Sequence, residues 1–419
     1  MDNRWLETPD SAAFVMFNNG AFGGAEKRFT SLFLYLSGLY PGKFYFIVNR
    51  HLFNHLNRIF AKLSHDYIIV IGEENAESSP AADTLPKYYK DAIPDPLEID
   101  AQASLARKIY WYYKNRYKQK KLFKEIENLR KELSIKVFAG IFSGVLPLVF
   151  YMQSKPKNAS VIFSNMDSWF TDVHSDMKKL WYRKYYSFNY AMENSDFVDF
   201  LSPYILEGVK KRNLSLKDDR VFVSPCSFAD YENCKVGDKT NFEIAFCSRL
   251  EPNKNPLMFL EAAKIIHGKY PEVKFHILGE GTLVPEVEKF IKNNGLLSVI
   301  NFQFLKNPSE IFTKTSVFIS LQTNTNYPSQ SVLEAMACGN AVIASKCGDT
   351  GLFINEKNGI LIDLDTGALI NAIEMLIKNP PLAKNMGIEG RKLVTSHHTI
   401  EKFSDYYLSL IKEAYKKIQ

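Results

Sequence analysis

The stretch Tyr327-Pro-Ser-Gln-Ser-Val-Leu-Glu-Ala-Met-Ala-Cys-Gly-Asn-Ala-Val-Ile-Ala344 carries the clearest structural signals in this chain. Pro328-Ser329 is typical of a helix start and Gly339 of a helix end, so we predict a helix over Ser331–Cys338. The apolar run Ala341–Ala344 follows the predicted helix after two residues and predicts a buried strand. A short helix that leads directly into a buried strand is typical of a sheet covered by helices.

Glu334 is the one charged residue within this predicted helix. Burying a carboxylate without partners is costly, so we expect Glu334 to have hydrogen-bond donors. Two interpretations stay open at this point. Glu334 has either a structural role, as a cap or an ion-pair partner, or a binding role in which the hydroxyl groups of a ribose donate to it.

The alternation of apolar runs with amphipathic stretches extends over most of the chain. Further helices are predicted at Arg28–Leu39, Pro256–Lys269, Leu283–Asn293 and Ser309–Lys314. Further strands are predicted at Ala13–Phe17, Phe44–Val48, Ile68–Ile71, Ile135–Phe142, Ser160–Ser164, Phe197–Ser202, Glu243–Cys247, Lys274–Leu278, Val299–Phe302 and Val317–Ser320. These strands are rich in Val, Ile and Phe, as buried parallel strands are, so we predict an α/β fold with parallel sheets.

The length of 419 residues predicts more than one domain, because a single hydrophobic core stops growing near ~250–300 residues. The polar stretch Asp230–Thr240 predicts a linker. We therefore expect a first domain over residues 1–235, a second over 236–398 and a C-terminal helix, 399–419, that packs back on the first domain. Hydrophobic residues make up 46% and charged residues 23%, which is ordinary for a soluble globular protein.

The five cysteines, Cys226, Cys234, Cys247, Cys338 and Cys347, form no CxxC pair and suit a reducing compartment. The uncharged stretch Val137–Ser154 contains Gly140, Gly144 and Pro147, and a buried strand followed by a helix start explains it at least as well as a membrane span. Residues 1–10 carry no apolar run of the kind that a secretory signal has. We therefore predict a cytoplasmic protein.

Residues 101–133 form a basic segment that differs from the rest of the chain. The segment holds ten Lys or Arg against three Glu, a net charge of +7, whereas the whole chain carries +6. Aromatic residues are interleaved with the cations, among them Tyr110, Trp111, Tyr112, Tyr113 and Tyr117. Three interpretations stay open: a solvated helix with extended lysines, a surface that meets anionic lipid head groups, and a nucleic-acid contact. The last is disfavoured, since the remainder of the chain is nearly neutral, and we expect no nucleic-acid partner.

Standard motifs for nucleotides and metals are absent from the sequence. It contains neither GxxxxGK[ST] nor GxGxxG, and no HExxH spacing, so we predict no metal and no bound cofactor. Two weaker signals remain. Gly23 and Gly24 follow the first predicted strand and precede a helix, a turn that lets the backbone approach an anion. Arg249 and Lys254 follow the strand Glu243–Cys247.

The combination of these stretches resembles the retaining, nucleotide-sugar-dependent glycosyltransferases of the GT-B fold, often called "glycosyl transferases group 1". The resemblance covers about residues 242–395, and the first half of the chain matches in its Gly-Gly loop and strand rhythm. The matching stretches are Gly23-Gly24-Ala25-Glu26, Arg249 with Lys254, Ile277-Leu-Gly-Glu-Gly-Thr-Leu283, Val332–Gly339 with Ala341–Ala344, Asn358-Gly-Ile-Leu361 and Met386-Gly-Ile-Glu-Gly-Arg391. The resemblance implies two Rossmann-like, doubly wound domains that face each other across a cleft.

The resemblance also implies roles for particular residues. Arg249 and Lys254 hold the diphosphate of a nucleotide sugar, and Glu334 accepts hydrogen bonds from its ribose. The other donor-binding candidates are Gly23, Gly24, Gly279, Phe304, Ser329, Gln330, Ser331 and Val332, the last two through backbone N–H groups. The acceptor-side candidates are Glu26, Asp167 and Trp169.

Two positions depart from the family pattern. The family usually has a first glutamate eight residues before the second, and here that position is Asn326, which can still bond a sugar hydroxyl. A histidine often follows a strand in the middle of the first domain, and Met166 stands there in Asn165-Met-Asp-Ser-Trp169. These departures predict either an altered specificity or a loss of turnover.

The resulting prediction is a metal-independent, retaining hexosyltransferase. It moves a sugar from a nucleotide diphosphate sugar to a glycan or lipid-linked glycan, as in lipopolysaccharide or capsule synthesis, at the inner face of a membrane. The alternative is a GT-B module that binds nucleotide sugars without turnover.

Overall fold

Alternating strands and helices build two parallel β-sheets, one in each half of the chain. The computed structural model describes residues 4–18, 23–60, 63, 66–72, 105–154, 157–165, 186–211, 214–231 and 233–418. Among these residues every strand pairing is parallel. The predicted α/β class with two parallel-sheet domains is therefore confirmed.

Among the described residues the first sheet has seven strands, in the order β3-β2-β1-β4-β5-β6-β7. Its strands are β1 (Ser11–Met16), β2 (Phe44–Asn49), β3 (Ile68–Ile71), β4 (Ile135–Ile141), β5 (Ser160–Asn165), β6 (Phe197–Phe200) and β7 (Val221–Val223). The order reverses beside β1, because the chain winds outward from β1 to β3 and then returns to place β4 on the other side of β1. Such a reversal point is where ligands bind in open α/β sheets.

The second sheet has six strands in the order β10-β9-β8-β11-β12-β13. Its strands are β8 (Glu243–Cys247), β9 (Lys274–Leu278), β10 (Ile300–Gln303), β11 (Val317–Ser320), β12 (Ala341–Ser345) and β13 (Gly359–Ile362). Here the order reverses between β8 and β11. Four strands, β3, β8, β9 and β11, match their predicted bounds, whereas the edge strands β7 and β13 were not predicted.

Helices cover both sheets. They are α1 (Arg4–Glu7), α2 (Gly24–Leu39), α3 (Arg50–Ile59), α4 (Leu105–Glu132), α5 (Val145–Gln153), α6 (Tyr186–Asn194), α7 (Pro203–Lys210), α8 (Pro256–Lys269), α9 (Val284–Asn293), α10 (Ser309–Phe312), α11 (Gln330–Ala337), α12 (Thr366–Lys378), α13 (Pro380–His397) and α14 (Ile400–Lys416). Six of these helices were not predicted: α1, α3, α6, α7, α12 and α13. The described part of the basic segment forms one long helix, α4.

The uncharged stretch Val137–Ser154 holds most of strand β4, a short 3₁₀ turn and helix α5. Gly144 is essential to this corner, because a Cβ there would lie 1.9 Å from the carbonyl oxygen of Val15. Within the ranges given above, no helix has the combination of length and apolar character needed to cross a membrane.

The last helix, α14, packs on the first domain although it follows the second in the chain. Tyr407 donates to Asp199 Oδ2 on β6 at 2.9 Å and lies 2.5 Å from the hydroxyl of Ser164 on β5. Its ring meets Phe29 of α2 edge-on, with centroids 5.5 Å apart. Burial raises the pKa of Asp199 to about 6, although hydrogen bonds from Tyr406, Tyr407 and Ser224 oppose that rise. These contacts connect the C-terminus to the core of the first domain.

Replacing Tyr407 with Phe removes a donor from the fully buried Asp199 while keeping the ring. We expect a loss of about 1–3 kcal/mol in the free energy of unfolding, the cost of leaving a buried charged group short of a hydrogen bond. Thermal denaturation checks this against Tyr117→Phe, a hydroxyl deletion at a residue that is 73% exposed. Equal midpoints for the two variants would contradict the expectation.

Candidate functional site

The loops after the carboxyl ends of both sheets meet where the sequence places its candidate residues. Asn18, Gly23 and Gly24 follow β1 in the first domain, and residues 248–254 follow β8 in the second. Residues 279–283 follow β9, and residues 321–329 follow β11. We call the space between these loops the cleft.

The glycine loop of the first domain is held by the capping of helix α2. Gly23 is the N-cap, and its N–H donates to Glu26 Oε2 at 2.9 Å, while Asn18 Nδ2 donates to Glu26 Oε1 at 2.8 Å. Glu26 is buried. These bonds give Glu26, an acceptor-side candidate, a structural role as the capping residue of α2.

Gly24 brings α2 against helix α11 of the second domain. A Cβ on Gly24 would lie 3.4 Å from Cβ of Gln330, which is van der Waals contact. Gln330 Nε2 donates to the carbonyl of Phe228 at 2.9 Å. The Gly-Gly loop and the start of α11 are therefore direct neighbours.

Two cations that the sequence did not single out, Lys27 and Arg28, extend this contact. Lys27 forms an ion pair with Glu334, and Arg28 Nη2 donates to the carbonyl of Pro328 at 3.0 Å. Burial lowers the pKa of Arg28 to about 10. Burial also opposes the charge on Lys27, but the carboxylate of Glu334 outweighs it and raises the pKa of Lys27. The sequence does contain a signal that could have identified them, since two basic residues directly follow Gly23-Gly24-Ala25-Glu26.

Glu334 therefore has the ion-pair partner that one of the two interpretations requires. It lies in the interior of α11 and is 5% exposed. Gln330 Nε2, one turn earlier on the same helix, approaches Glu334 Oε1 at 3.4 Å. The ion pair does not exclude a binding role, because a carboxylate accepts several hydrogen bonds.

The N-terminus of α11 is open to the cleft side. Its N-cap, Ser329, makes no side-chain capping bond to the helix. The hydroxyls of Ser329 and Ser331 lie 3.2 Å apart, and both residues are partly exposed. Uncapped amide groups at a helix N-terminus favour an anion, so the predicted positions of Ser331 and Val332 suit a phosphate.

The loop with Arg249 and Lys254 lies between the loops of the two neighbouring strands. Lys254 Nζ donates to Oε1 of Gln322, which follows β11. On the other side, Leu250 N donates to the carbonyl of Glu280 at 2.9 Å. Arg249 itself is exposed. Both cations thus stand at the carboxyl edge of the second sheet, beside its reversal point.

Gly279 allows this arrangement by its lack of a side chain. Its φ is +151°, and a Cβ would lie 1.9 Å from the carbonyl oxygen of Ser248. Gly281, at φ +158°, approaches the backbone of Leu250 in the same way. The glycines of Leu278-Gly-Glu-Gly281 therefore let the loop that carries Arg249 pack directly on the loop after β9.

Asn326 requires a correction of the expected sugar contact. Its side chain is fully buried, Oδ1 accepts from Ser320 Oγ at 2.6 Å, and Nδ2 donates to Ser345 O at 3.1 Å. The same Nδ2 reaches Thr350 Oγ1 at 3.2 Å, and the backbone N–H donates to that oxygen at 3.0 Å. The amide is satisfied inside the protein, so Asn326 connects two loops and does not present its side chain to the cleft.

Phe304 lies at the far side of the cleft and is 44% exposed. The guanidinium of Arg58, on α3 of the first domain, lies 5.8 Å from the centre of its ring. Arg58 also approaches Glu280 Oε1 at 3.7 Å. Phe304 is thus a second point where the domains meet.

Asp167, Trp169 and Met166 lie outside the described residues. Within the described part of the chain, no group of three or more His, Cys, Asp or Glu side chains could hold a metal ion.

Comparison with known proteins supports the predicted resemblance. Residues 232–393 match the family model described as "Glycosyl transferases group 1". A poly(ribitol-phosphate) alpha-N-acetylglucosaminyltransferase of Staphylococcus aureus (strain COL) is 27% identical over 190 residues, 44% of this chain and 38% of the relative. A UDP-Gal:alpha-D-GlcNAc-diphosphoundecaprenol alpha-1,3-galactosyltransferase of Escherichia coli is 27% identical over 203 residues, 45% of this chain and 51% of the relative. The chain thus spans about half or less of these relatives.

Solved structures extend the likeness to the whole fold. Anabaena Alr3699/HepE in complex with UDP and glucose is 14% identical with a TM-score of 0.68, over 96% of this chain and 99% of that one. Staphylococcus aureus TarM, in complex with UDP among other ligands, has a TM-score of 0.53 at 21% identity, over 66% of this chain and 55% of that one. The two parallel-sheet domains therefore form a GT-B fold, as the resemblance implied.

The role of Gly279 can be tested with alanine. In Gly279→Ala the new Cβ meets a carbonyl oxygen at a strained φ, so we expect a loss of at least about 2 kcal/mol in stability. Gly268→Ala is the matched control, since Gly268 lies within helix α8 with nothing within 4 Å of the added carbon. That change should be neutral or stabilise by up to about 1 kcal/mol. Similar denaturation midpoints for the two variants would contradict the packing argument.

Proposed function

We propose that this chain, whose second domain matches the glycosyl transferases group 1, transfers a sugar from a nucleotide diphosphate sugar to a glycan or lipid-linked glycan. The observation that carries the proposal is the grouping of Arg249, Lys254 and the open start of α11 at one edge of the second sheet, beside the Gly-Gly loop. Two cations and uncapped amides are what a diphosphate requires.

The donor lies on the second domain in this proposal. Arg249 and Lys254 bind the diphosphate and stabilise the charge that develops as it leaves. Each charge-assisted hydrogen bond contributes about 1.5–3 kcal/mol. Because these cations supply the positive charge, the reaction proceeds without a metal ion, and positioning and electrostatics carry the catalysis. The leaving phosphate oxygen takes the acceptor's proton on the same face, so the anomeric configuration is retained.

The acceptor lies on the first domain, and the names of the relatives support its class. One relative is named for poly(ribitol-phosphate) and another for a diphosphoundecaprenol-linked sugar. We infer a growing surface polysaccharide, such as lipopolysaccharide or capsule, as the acceptor. A hexose or N-acetylhexosamine is the inferred sugar, and the cytoplasm is the inferred location.

The alternative is a GT-B module that binds a nucleotide sugar without turnover. The substitution of the family's first glutamate by Asn326 favours it, since that side chain is enclosed by Ser320, Ser345 and Thr350. Release of a nucleoside diphosphate in the presence of an acceptor separates the two functions.

Nucleotide binding tests the proposal first. We expect UDP, the nucleotide in the related structures, to raise the melting temperature of the wild type, with GDP, ADP and dTDP as comparisons. Lys254→Ala should weaken binding about tenfold or more, through loss of one charge-assisted bond. Lys264→Ala, at an exposed lysine on α8, is the control and should bind like the wild type. If no nucleotide raises the melting temperature of the wild type, the proposed donor site is wrong.

We further propose that helix α4 attaches the protein to an anionic membrane surface. Residues three and four apart along its exposed side carry tyrosines and lysines: Tyr110, Tyr113, Lys114, Tyr117, Lys120 and Lys124. The three tyrosines are 60%, 65% and 73% exposed. We call this set the α4 basic face. Aromatic rings at the head-group level and cations near anionic lipids each favour membrane binding, by about 1 kcal/mol per cation.

Vesicle sedimentation tests the α4 basic face. The wild type should bind vesicles of phosphatidylglycerol and phosphatidylcholine, bind pure phosphatidylcholine poorly and dissociate as salt rises. Lys120→Glu with Lys124→Glu should lower binding at least tenfold, and Tyr113→Ser with Tyr117→Ser should lower it further. Lys264→Glu with Lys289→Glu gives the same change in charge elsewhere and should leave binding intact. Vesicle binding that does not change with salt or with lipid charge would refute the membrane contact. Tighter binding to RNA than to vesicles would refute it as well.

A further inference from the structure

The ion pair between Lys27 and Glu334 joins helices of different domains. Lys27 lies in the first turn of α2, and Glu334 lies 307 residues later on α11. The lysine side chain is 32% exposed and the glutamate side chain 6%. The pair is therefore sheltered, yet it borders the cleft.

Lys27 reaches Glu334 from a fixed backbone. The residue before it, Glu26, caps α2, and the residue after it, Arg28, donates through Nε to Ser227 Oγ at 2.7 Å and through Nη2 to Pro328 O at 3.0 Å. Arg28 is 3% exposed. The position of the Lys27 ammonium is thus determined by contacts on both sides along the chain.

Glu334 receives its protein donors on one oxygen. Lys27 Nζ and Gln330 Nε2 both approach Oε1, the second at 3.4 Å. Gln330 is itself held by the carbonyl of Phe228. Among the described residues no donor reaches Oε2, so this oxygen is the one that can accept a bond from a ligand hydroxyl.

We propose that Lys27 is a positioning residue for the nucleotide donor. By holding Oε1 it orients the carboxylate of Glu334 so that Oε2 accepts a ribose hydroxyl of the nucleotide. This inference rests on the proposed function, in which Glu334 binds the ribose. It adds that donor affinity depends on a side chain of the opposite domain, so that the donor binds best when the two domains are in contact.

Electrostatics agree with this assignment. The carboxylate raises the pKa of Lys27, so the ammonium stays charged at neutral pH. Loss of the ammonium leaves a nearly buried carboxylate with Gln330 as its protein donor, free to turn Oε2 away from the ribose. The cost of such misplacement appears in ligand affinity rather than in the fold alone.

The test compares Kd for UDP, by calorimetry at neutral pH, in wild type, Lys27→Met, Glu334→Gln and the double variant. Lys27→Met should weaken UDP binding about tenfold or more. In the Glu334→Gln background the same change should have little further effect, because Lys27 acts through Glu334. Lys27→Arg, which keeps the charge and the donors, should restore part of the affinity. Lys289→Met, at an exposed lysine on α9, should bind like the wild type.

Equal Kd values for wild type and Lys27→Met would overturn the inference, as would equal losses in both backgrounds. A ligand-free measurement separates this failure from failure of the proposed function. Hydrogen exchange of peptides covering α2 and α11 should be faster in Lys27→Met than in Lys289→Met without any nucleotide. If the wild type does not bind UDP, the proposed function is wrong. If the wild type binds UDP but hydrogen exchange in Lys27→Met is unchanged, the inference that Lys27 orients Glu334 is wrong.

Discussion

The approach of helix α2 to helix α11 is the contact on which the rest of the cleft depends. Gly24 lies at this contact, where a Cβ would be in van der Waals contact with Gln330. Lys27 and Arg28 then connect the first domain to Glu334 and to the carbonyl of Pro328. Arg28 and Glu334 are charged groups withdrawn from water, so separating the domains without replacing their partners is costly. The glycine loop is therefore both a cleft wall and a point of attachment.

In the second domain, close packing of backbone segments positions the loop that carries Arg249 and Lys254. Gly279 and Gly281 let the loops after β8 and β9 lie against each other, and this places Arg249 and Lys254 at the carboxyl edge of the second sheet, where Lys254 contacts Gln322 of the loop that leads to α11. The strand order reverses between β8 and β11 at this same place. A reversal separates the helices that follow the two strands, which leaves room for a ligand between their loops. The geometry of the sheet thus explains why the cations collect here.

The sequence predicted the bounds of a strand or helix where neighbouring residues mark both of its ends. Strand β9 and helix α8 have the predicted bounds because apolar runs and flanking turn residues mark both ends. Asn326 shows the limit of that approach. The sequence shows which residue this is and that it lies eight positions before Glu334. Its partners Ser320, Ser345 and Thr350 come from three segments that only the folded sheet brings together. Position in a motif therefore did not reveal the direction in which the side chain points.

The sequence by itself determined the α/β class, the two parallel-sheet domains and the family resemblance of the second, since these depend on periodicity and on short motifs. Only the tertiary structure decided what each polar side chain contacts. Lys27 lies beside Glu334, Glu26 caps its own helix, and α14 returns to Asp199 of the first domain. The physical reason is that a buried charge takes its partner from whatever segment the fold brings near, and no pattern along the chain encodes a pairing between residues 27 and 334.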